Sequence, residues 1–172
     1  GAGPTGQVVN ALYQVDDNPL NNFGAISPVH PVLKLIMTEY ERAYLAAIPP
    51  SGNRNSDATM NGTFIALDGT STEYRYQCGY RNRGHGSRSA QPPNFRVDIP
   101  TDRRWKGQRA MNLNSVAPDV QILGAAVAKK AGLAGADSRP AQLRVNNNNL
   151  ASQGGDMLGA YALNEEINSD WG

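Results

Sequence analysis

Thr72-Glu73-Tyr74-Arg75-Tyr76-Gln77-Cys78-Gly79-Tyr80-Arg81-Asn82 alternates tyrosine or cysteine with charged, polar or glycine residues along most of its length. A period of two marks a β-strand with one greasy and one wet face. Residues 59–67 form a second strand-like run just upstream, and Asp68-Gly69-Thr70 between the two fits a hairpin turn, with Gly69 supplying a positive φ. This reading puts Tyr74, Tyr76, Cys78 and Tyr80 on one face, and Cys78 packs there as a small core residue.

Working outward, Val32 to Met37 is a short apolar strand, and Thr38 opens a helix. Thr38 with Glu41 fits a capping box, in which each side chain satisfies a free backbone amide. Tyr40, Tyr44, Leu45 and Ile48 supply the apolar face, and Pro49-Pro50 ends the helix. Downstream, Arg83 to Ser89 is a basic glycine loop, Phe95 to Ile99 a strand, and Arg109 to Asn114 another. Pro118 suits a first helical turn, Val120, Leu123 and Val127 recur at helical spacing, and Gly132 is a natural C-cap. Arg139 to Val145 and Met157 to Leu163 read as a final strand pair across a wide Asn- and Gly-rich turn. Residues 1–30, rich in Gly, Pro and Asn, read as an extended arm with a candidate edge strand at 7–13. The predicted fold class is α+β: an antiparallel sheet with two main helices.

A chain of 172 residues supports one domain with a real core. The net charge of +1 gives no global field toward nucleic acid or membrane, and no apolar run reaches the length of a membrane span. The charge is uneven, however. Arg81, Arg83, Arg88, Arg96, Arg103, Arg104, Lys106 and Arg109 supply half of the 16 Lys and Arg, which suggests a local anion site. One cysteine excludes an intrachain disulfide and a cysteine-based zinc site, and two distant histidines, His30 and His85, make no metal motif. Asn61-Gly62-Thr63 is a glycosylation sequon.

Four motifs in order resemble the CotH family of spore-coat protein H and its secreted relatives. They are Tyr80-Arg81-Asn82-Arg83-Gly84-His85-Gly86-Ser87-Arg88, Asn94-Phe95-Arg96-Val97-Asp98-Ile99, Met111-Asn112-Leu113-Asn114-Ser115, and Met157-Leu158-Gly159-Ala160-Tyr161-Ala162-Leu163-Asn164-Glu165-Glu166-Ile167. The resemblance covers residues 31–172. It implies an atypical protein-kinase N-lobe, secreted or at the cell surface, with the family's C-terminal half absent from this sequence. It implies ATP and Mg as cofactors, with the Mg-holding aspartates outside these residues, and a chain that is inactive by itself. The reaction it implies is phosphoryl transfer to Ser or Thr of surface or coat proteins.

By that resemblance Arg83, Gly84, His85, Gly86, Ser87 and Arg88 cradle phosphates, because Gly lets the backbone approach phosphate oxygens and Arg supplies charge. Arg96 stands where the family has a strand lysine, Gln121 where relatives have a helix glutamate, and Glu165 near the hinge. The alternative reading is a catalytically inactive component of a coat, extracellular matrix or filament. Such a component would assemble with other coat proteins, or with copies of itself, through residues 1–30. A third reading, carbohydrate binding, would use Trp105 and Trp171 as stacking surfaces.

Overall fold

The computed structural model describes residues 30–48, 56–146, 148–150 and 160–167. The arm at 1–29 with its candidate strand at 7–13, residues 157–159 of the expected last strand, and Trp171 lie outside the described residues.

The elements in chain order are β1 (Val32–Ile36), α1 (Glu39–Ala47), β2 (Met60–Leu67), β3 (Thr72–Asn82), β4 (Phe95–Asp98), β5 (Ala110–Asn114), α2 (Pro118–Lys130), β6 (Ser138–Val145), β7 (Asn148–Asn149) and β8 (Tyr161–Glu165). The hydrogen-bonded order is β1-β2-β3-β4-β5-β8-β6, and β6 then returns to β1. Seven strands therefore close into a barrel, with β7 paired to the end of β6.

This corrects the expected fold class. The expectation of an α+β kinase-like N-lobe with an antiparallel sheet is overturned by a closed, mixed barrel carrying two helices. The cause is a change of partner within β6. Ser138–Ala141 pairs antiparallel with β8, whereas Gln142–Val145 pairs parallel with β1, in the register Val32↔Gln142 to Leu35↔Val145. Closure leaves no free sheet edge among these seven strands. Both faces of β1 are buried, so it is apolar at every position except Lys34, which is itself buried. Leu33 and Leu35 enter the main core, while Val32 and Ile36 join Ile65 and Leu67 in a second cluster.

The barrel interior holds Phe64, Tyr80, Val97, Met111, Leu113, Leu143 and Tyr161, all fully buried. The two ends of β4 face different lids. At the Asn82↔Phe95 end, α1 sends Leu45 and Ile48 into the core, and buried Asn82 Nδ2 donates to the Leu45 carbonyl at 2.7 Å. At the Asp98↔Ala110 end, the β4–β5 connection buries Trp105 edge-on against Phe64, with ring centroids 5.4 Å apart. The carbohydrate reading loses Trp105 on this account, since the ring is 1% exposed and offers no stacking surface.

Local chemistry agrees with the sequence at several points. The Thr38/Glu41 capping box forms, with Thr38 N donating to Glu41 Oε2 at 3.0 Å and Glu41 N to Thr38 Oγ1 at 3.2 Å. Asp68 Oδ1 accepts from the Thr70 and Ser71 amides across the hairpin, where Gly69 has φ +82°. α2 ends in a Schellman motif: Gly132 has φ +75°, Gly132 N donates to Lys129 O at 3.0 Å, and Leu133 N to Ala128 O at 3.0 Å.

The expected tyrosine face does not form as a unit. Thr63 of β2 faces an extra residue of β3, so the register steps from Gly62↔Cys78 to Phe64↔Arg75, and Gln77 takes φ +58°. A bulge of this kind shifts the alternation by one. Cys78 and Tyr80 stay inside, where burial pushes the Cys78 thiol up to about 12, while Tyr74 and Tyr76 stand exposed. Tyr40 and Tyr44 of α1 are also exposed and pack on each other instead of on the core.

Asn146 latches the closing seam. It sits at φ +46°, its Oδ1 accepts from Met37 N at 3.0 Å, and its Nδ2 donates to Glu39 Oε1 at 2.8 Å. Asn146→Ala loses both bonds and forces a Cβ-bearing residue without a local hydrogen bond into the left-handed region. The expected cost is about 1–3 kcal/mol, read as a lower urea midpoint at unchanged slope. Asn146→Gly, which keeps the conformation at no steric cost, should lose less.

Candidate functional site: an arginine face on the barrel wall

On β3, β4, β5 and β8 the residues that turn away from the core fall into register. Arg81 pairs with Arg96, Arg96 with Asn112, and Asn112 with Asn164, a single polar row across four strands. Two residues along, Arg83 continues the hairpin, its amide donating to Asn94 O at 3.0 Å, and it lies beside Asn114 of β5. Alternation explains why. Tyr80, Asn82, Phe95, Val97, Met111 and Leu113 must point inward, so their neighbours point out.

α2 frames the far side of this face through Gln121. Gln121 Oε1 accepts from Asn114 Nδ2 at 2.7 Å and from Asn164 Nδ2 at 2.9 Å, and its Nε2 donates to Val116 O at 2.6 Å. Arg96 is held by two carboxylates. Its Nε donates to Asp98 Oδ1 at 2.8 Å, its Nη2 to Glu166 Oε2 at 2.9 Å, and its Nη1 to Glu166 Oε1, a bidentate fork. Arg81 Nη1 donates to Asp57 Oδ1 at 3.0 Å.

Arg83 is different. Its described hydrogen bond is to a neutral partner, Nη1 to Asn114 Oδ1 at 2.9 Å. Burial, and then the like charges of Arg81 and Arg96, push its guanidinium below the usual arginine range. A partly buried cation beside two others, without a described carboxylate partner, is a place where an anion gains.

The residues named from sequence divide. Arg83 and Arg96 share the face. Arg88 turns away and is buried, donating through Nε to Gly84 O, through Nη1 to Ser56 O and through Nη2 to Asp57 Oδ1 at 2.5 Å. It anchors the loop, and with Arg81 it holds the Asp57 carboxyl below the ordinary range, Arg88 having the larger effect. Gly84 has φ +96°, Gly86–Ser89 form a 3₁₀ turn, His85 and Gly86 are exposed, and Ser87 O accepts from Asn94 Nδ2 at 3.2 Å. Glu165 lies in a separate cleft of about 530 Å³ between α2 and the barrel end, lined by Lys106, Lys129, Asp137 and Arg139 among others. There Glu165 Oε2 accepts from Asp137 N at 3.3 Å.

The sequence reading counted Arg81 within the basic cluster but not among the phosphate-cradling residues, and it missed Asn164 and Glu166 as members of the site. The signal was parity: Arg81 and Arg83 share a parity on one arm of the β3–β4 hairpin, opposite Arg96 on the other.

Among the described residues no group of three or more His, Cys, Asp or Glu converges as metal ligands would, and Asp98 and Glu166 both bond Arg96. The described residues therefore do not fit the implied Mg. Of the three guanidiniums, Arg81 and Arg96 bond carboxylates and Arg83 bonds the Asn114 amide. No described helix is long and apolar enough to cross a membrane. Comparison of the sequence with protein-family models gives no match, and no curated protein matches it either.

Proposed function

We propose that the arginine face binds the phosphate chain of a nucleotide, in a secreted or cell-surface protein of the CotH kind whose phosphoryl-transfer chemistry requires residues beyond those described. The observation that carries this reading is Arg83, a partly buried guanidinium crowded by Arg81 and Arg96 and bonded to a neutral amide. A bound polyphosphate would supply the missing negative charge and accept the remaining donors. Gln121 and Asn164 keep α2 and β8 in place around the face.

A second reading, an inert component of a coat or matrix, is favoured by Arg96. Asp98 and Glu166 already occupy its donors, so the face is partly neutralised without any ligand.

Titration calorimetry with ATP and with inorganic triphosphate, in metal-free buffer at low salt, separates the two. The phosphate reading expects both to bind, adenosine not to bind, and Arg83→Gln to weaken binding at least tenfold, which corresponds to about 1.4 kcal/mol. Binding should also weaken steeply with salt. No heat from either anion at millimolar concentration, or a Kd unmoved by Arg83→Gln, overturns the phosphate reading and leaves the structural one.

A further inference from the structure

α2 packs on the barrel through one side only. Pro118, Gln121, Ile122, Ala125 and Ala128 are buried or half-buried, while Val116 just ahead of the helix and Val120, Leu123 and Val127 within it are 49%, 64%, 66% and 60% exposed. At 100° per residue Val120, Leu123 and Val127 fall within an arc of about 60° on α2, while Val116 precedes the helix across the left-handed Ala117. Three large apolar side chains in one outward stripe form a patch, unlike apolar residues scattered singly.

The same face carries two further features. Gly124 sits mid-helix beside the stripe, and a Cβ built there meets nothing within 4 Å. Its own fold does not require glycine, although glycine costs a helix interior about 1 kcal/mol relative to alanine. A glycine on an apolar helix face lets another backbone approach closely. Asp119 and Lys130 are both exposed, and both project on the same flank of the stripe at opposite ends of the helix. Lys129, by contrast, turns to Asp137 at 2.7 Å.

We infer that this face is a docking surface for a second copy of this chain, with the two α2 helices antiparallel about a two-fold axis beside Gly124. A two-fold axis in that position keeps each flank facing itself. Asp119 of one copy then lies level with Lys130 of the other, and the reverse pair forms at the other end. Val127 of one copy falls between Val120 and Leu123 of the other. Antiparallel helices also set opposite dipole ends side by side. The patch is self-complementary in charge, which is what an isologous interface requires and a foreign partner does not. The inference is independent of the phosphate reading, because α2's outward face takes no part in the arginine face.

Sedimentation equilibrium of the full chain from micromolar to near-millimolar concentration tests it. A monomer–dimer equilibrium is expected. Leu123→Glu should abolish the dimer while leaving the circular dichroism of the monomer unchanged, because the side chain is exposed. Asp119→Lys and Lys130→Asp should each weaken the dimer several-fold at low salt, and the double swap should restore it. Gly124→Ala should raise the monomer's unfolding midpoint yet weaken dimerisation. A chain that stays monomeric throughout overturns the inference and assigns the stripe to some other cover. So does a dimer indifferent to Leu123→Glu, or a double charge swap that fails to restore association.

Discussion

Gly62→Ala lowers the stability of the barrel by about 3 kcal/mol or more. Gly62 lies on β2 where β1 and β3 converge. A Cβ built there stands 2.2 Å from the Ile36 carbonyl oxygen, 2.3 Å from Tyr80 Cε2 and 3.1 Å from Tyr80 Cδ2. The first obstacle is backbone of a strand whose two faces are both buried, so it has little room to withdraw. The second is a fully buried tyrosine ring in a close-packed interior. Relief on one side therefore worsens the other. The next register step is the bulge at Thr63, so the strain also falls where β3 already departs from regular pairing. Equilibrium urea denaturation reads the loss directly. A loss under 0.5 kcal/mol would mean that the β1–β2–β3 contact is looser than described.

Trp105→Ala costs about 3–5 kcal/mol. The indole is 1% exposed, meets Phe64 edge-on, and has Lys106 Nζ and the Arg139 guanidinium each 5.5 Å from its ring centroid. Truncation removes the largest fully buried side chain of the barrel, the quadrupole contact with Phe64, and the surface that both cations share. The turn that delivers it, Lys106 at φ +49° and Gly107 at φ +83°, is a tight hairpin, and Lys106 Nζ also donates to Asp68 Oδ2 at 2.9 Å. Trp105→Phe should recover roughly half of the loss, because it keeps an aromatic edge but not the volume. Thermal unfolding monitored by far-ultraviolet dichroism checks both variants, and a loss below about 1 kcal/mol for the alanine variant would overturn the assignment of Trp105 to the core.

Much of the local structure could be read from the residues, because it is encoded within a few positions. The Thr38/Glu41 box, the Asp68–Gly69 turn and the Gly132 terminus are each settled by hydrogen bonds between near neighbours. The global closure could not be read this way. Nothing in Val32–Ile36 names Gln142–Val145 as a partner, and an apolar run is equally consistent with a central antiparallel strand. The bulge at Gln77 escaped for a related reason. Alternation is counted along one strand, whereas an extra residue is defined only against the strand opposite. Of the candidate site, Arg83 and Arg96 were legible as basic residues near a glycine loop. Arg88 belonged to the same motif, but three carbonyl and carboxylate oxygens within reach make it a structural anchor. Glu165 and Glu166 are adjacent in sequence and opposite in direction along β8, so only the residue after the expected one reaches Arg96.

The parallel seam between β1 and β6 also has a consequence for how the chain acquires its shape. β1 is among the first described elements to be synthesised, and its closing partner is among the last. Until β6 arrives, β1 presents one unpaired edge and β5, lacking β8, presents the other. A ribosome-bound chain carrying only β1 to β5 is thus an open sheet with two adhesive borders, the kind of species that pairs with its neighbours. Contacts so distant along the chain also place this barrel among slow folders, because the entropy of closing a long loop is spent before the seam returns any stability. Refolding yield should therefore fall with protein concentration more steeply than the stability of the finished barrel would suggest.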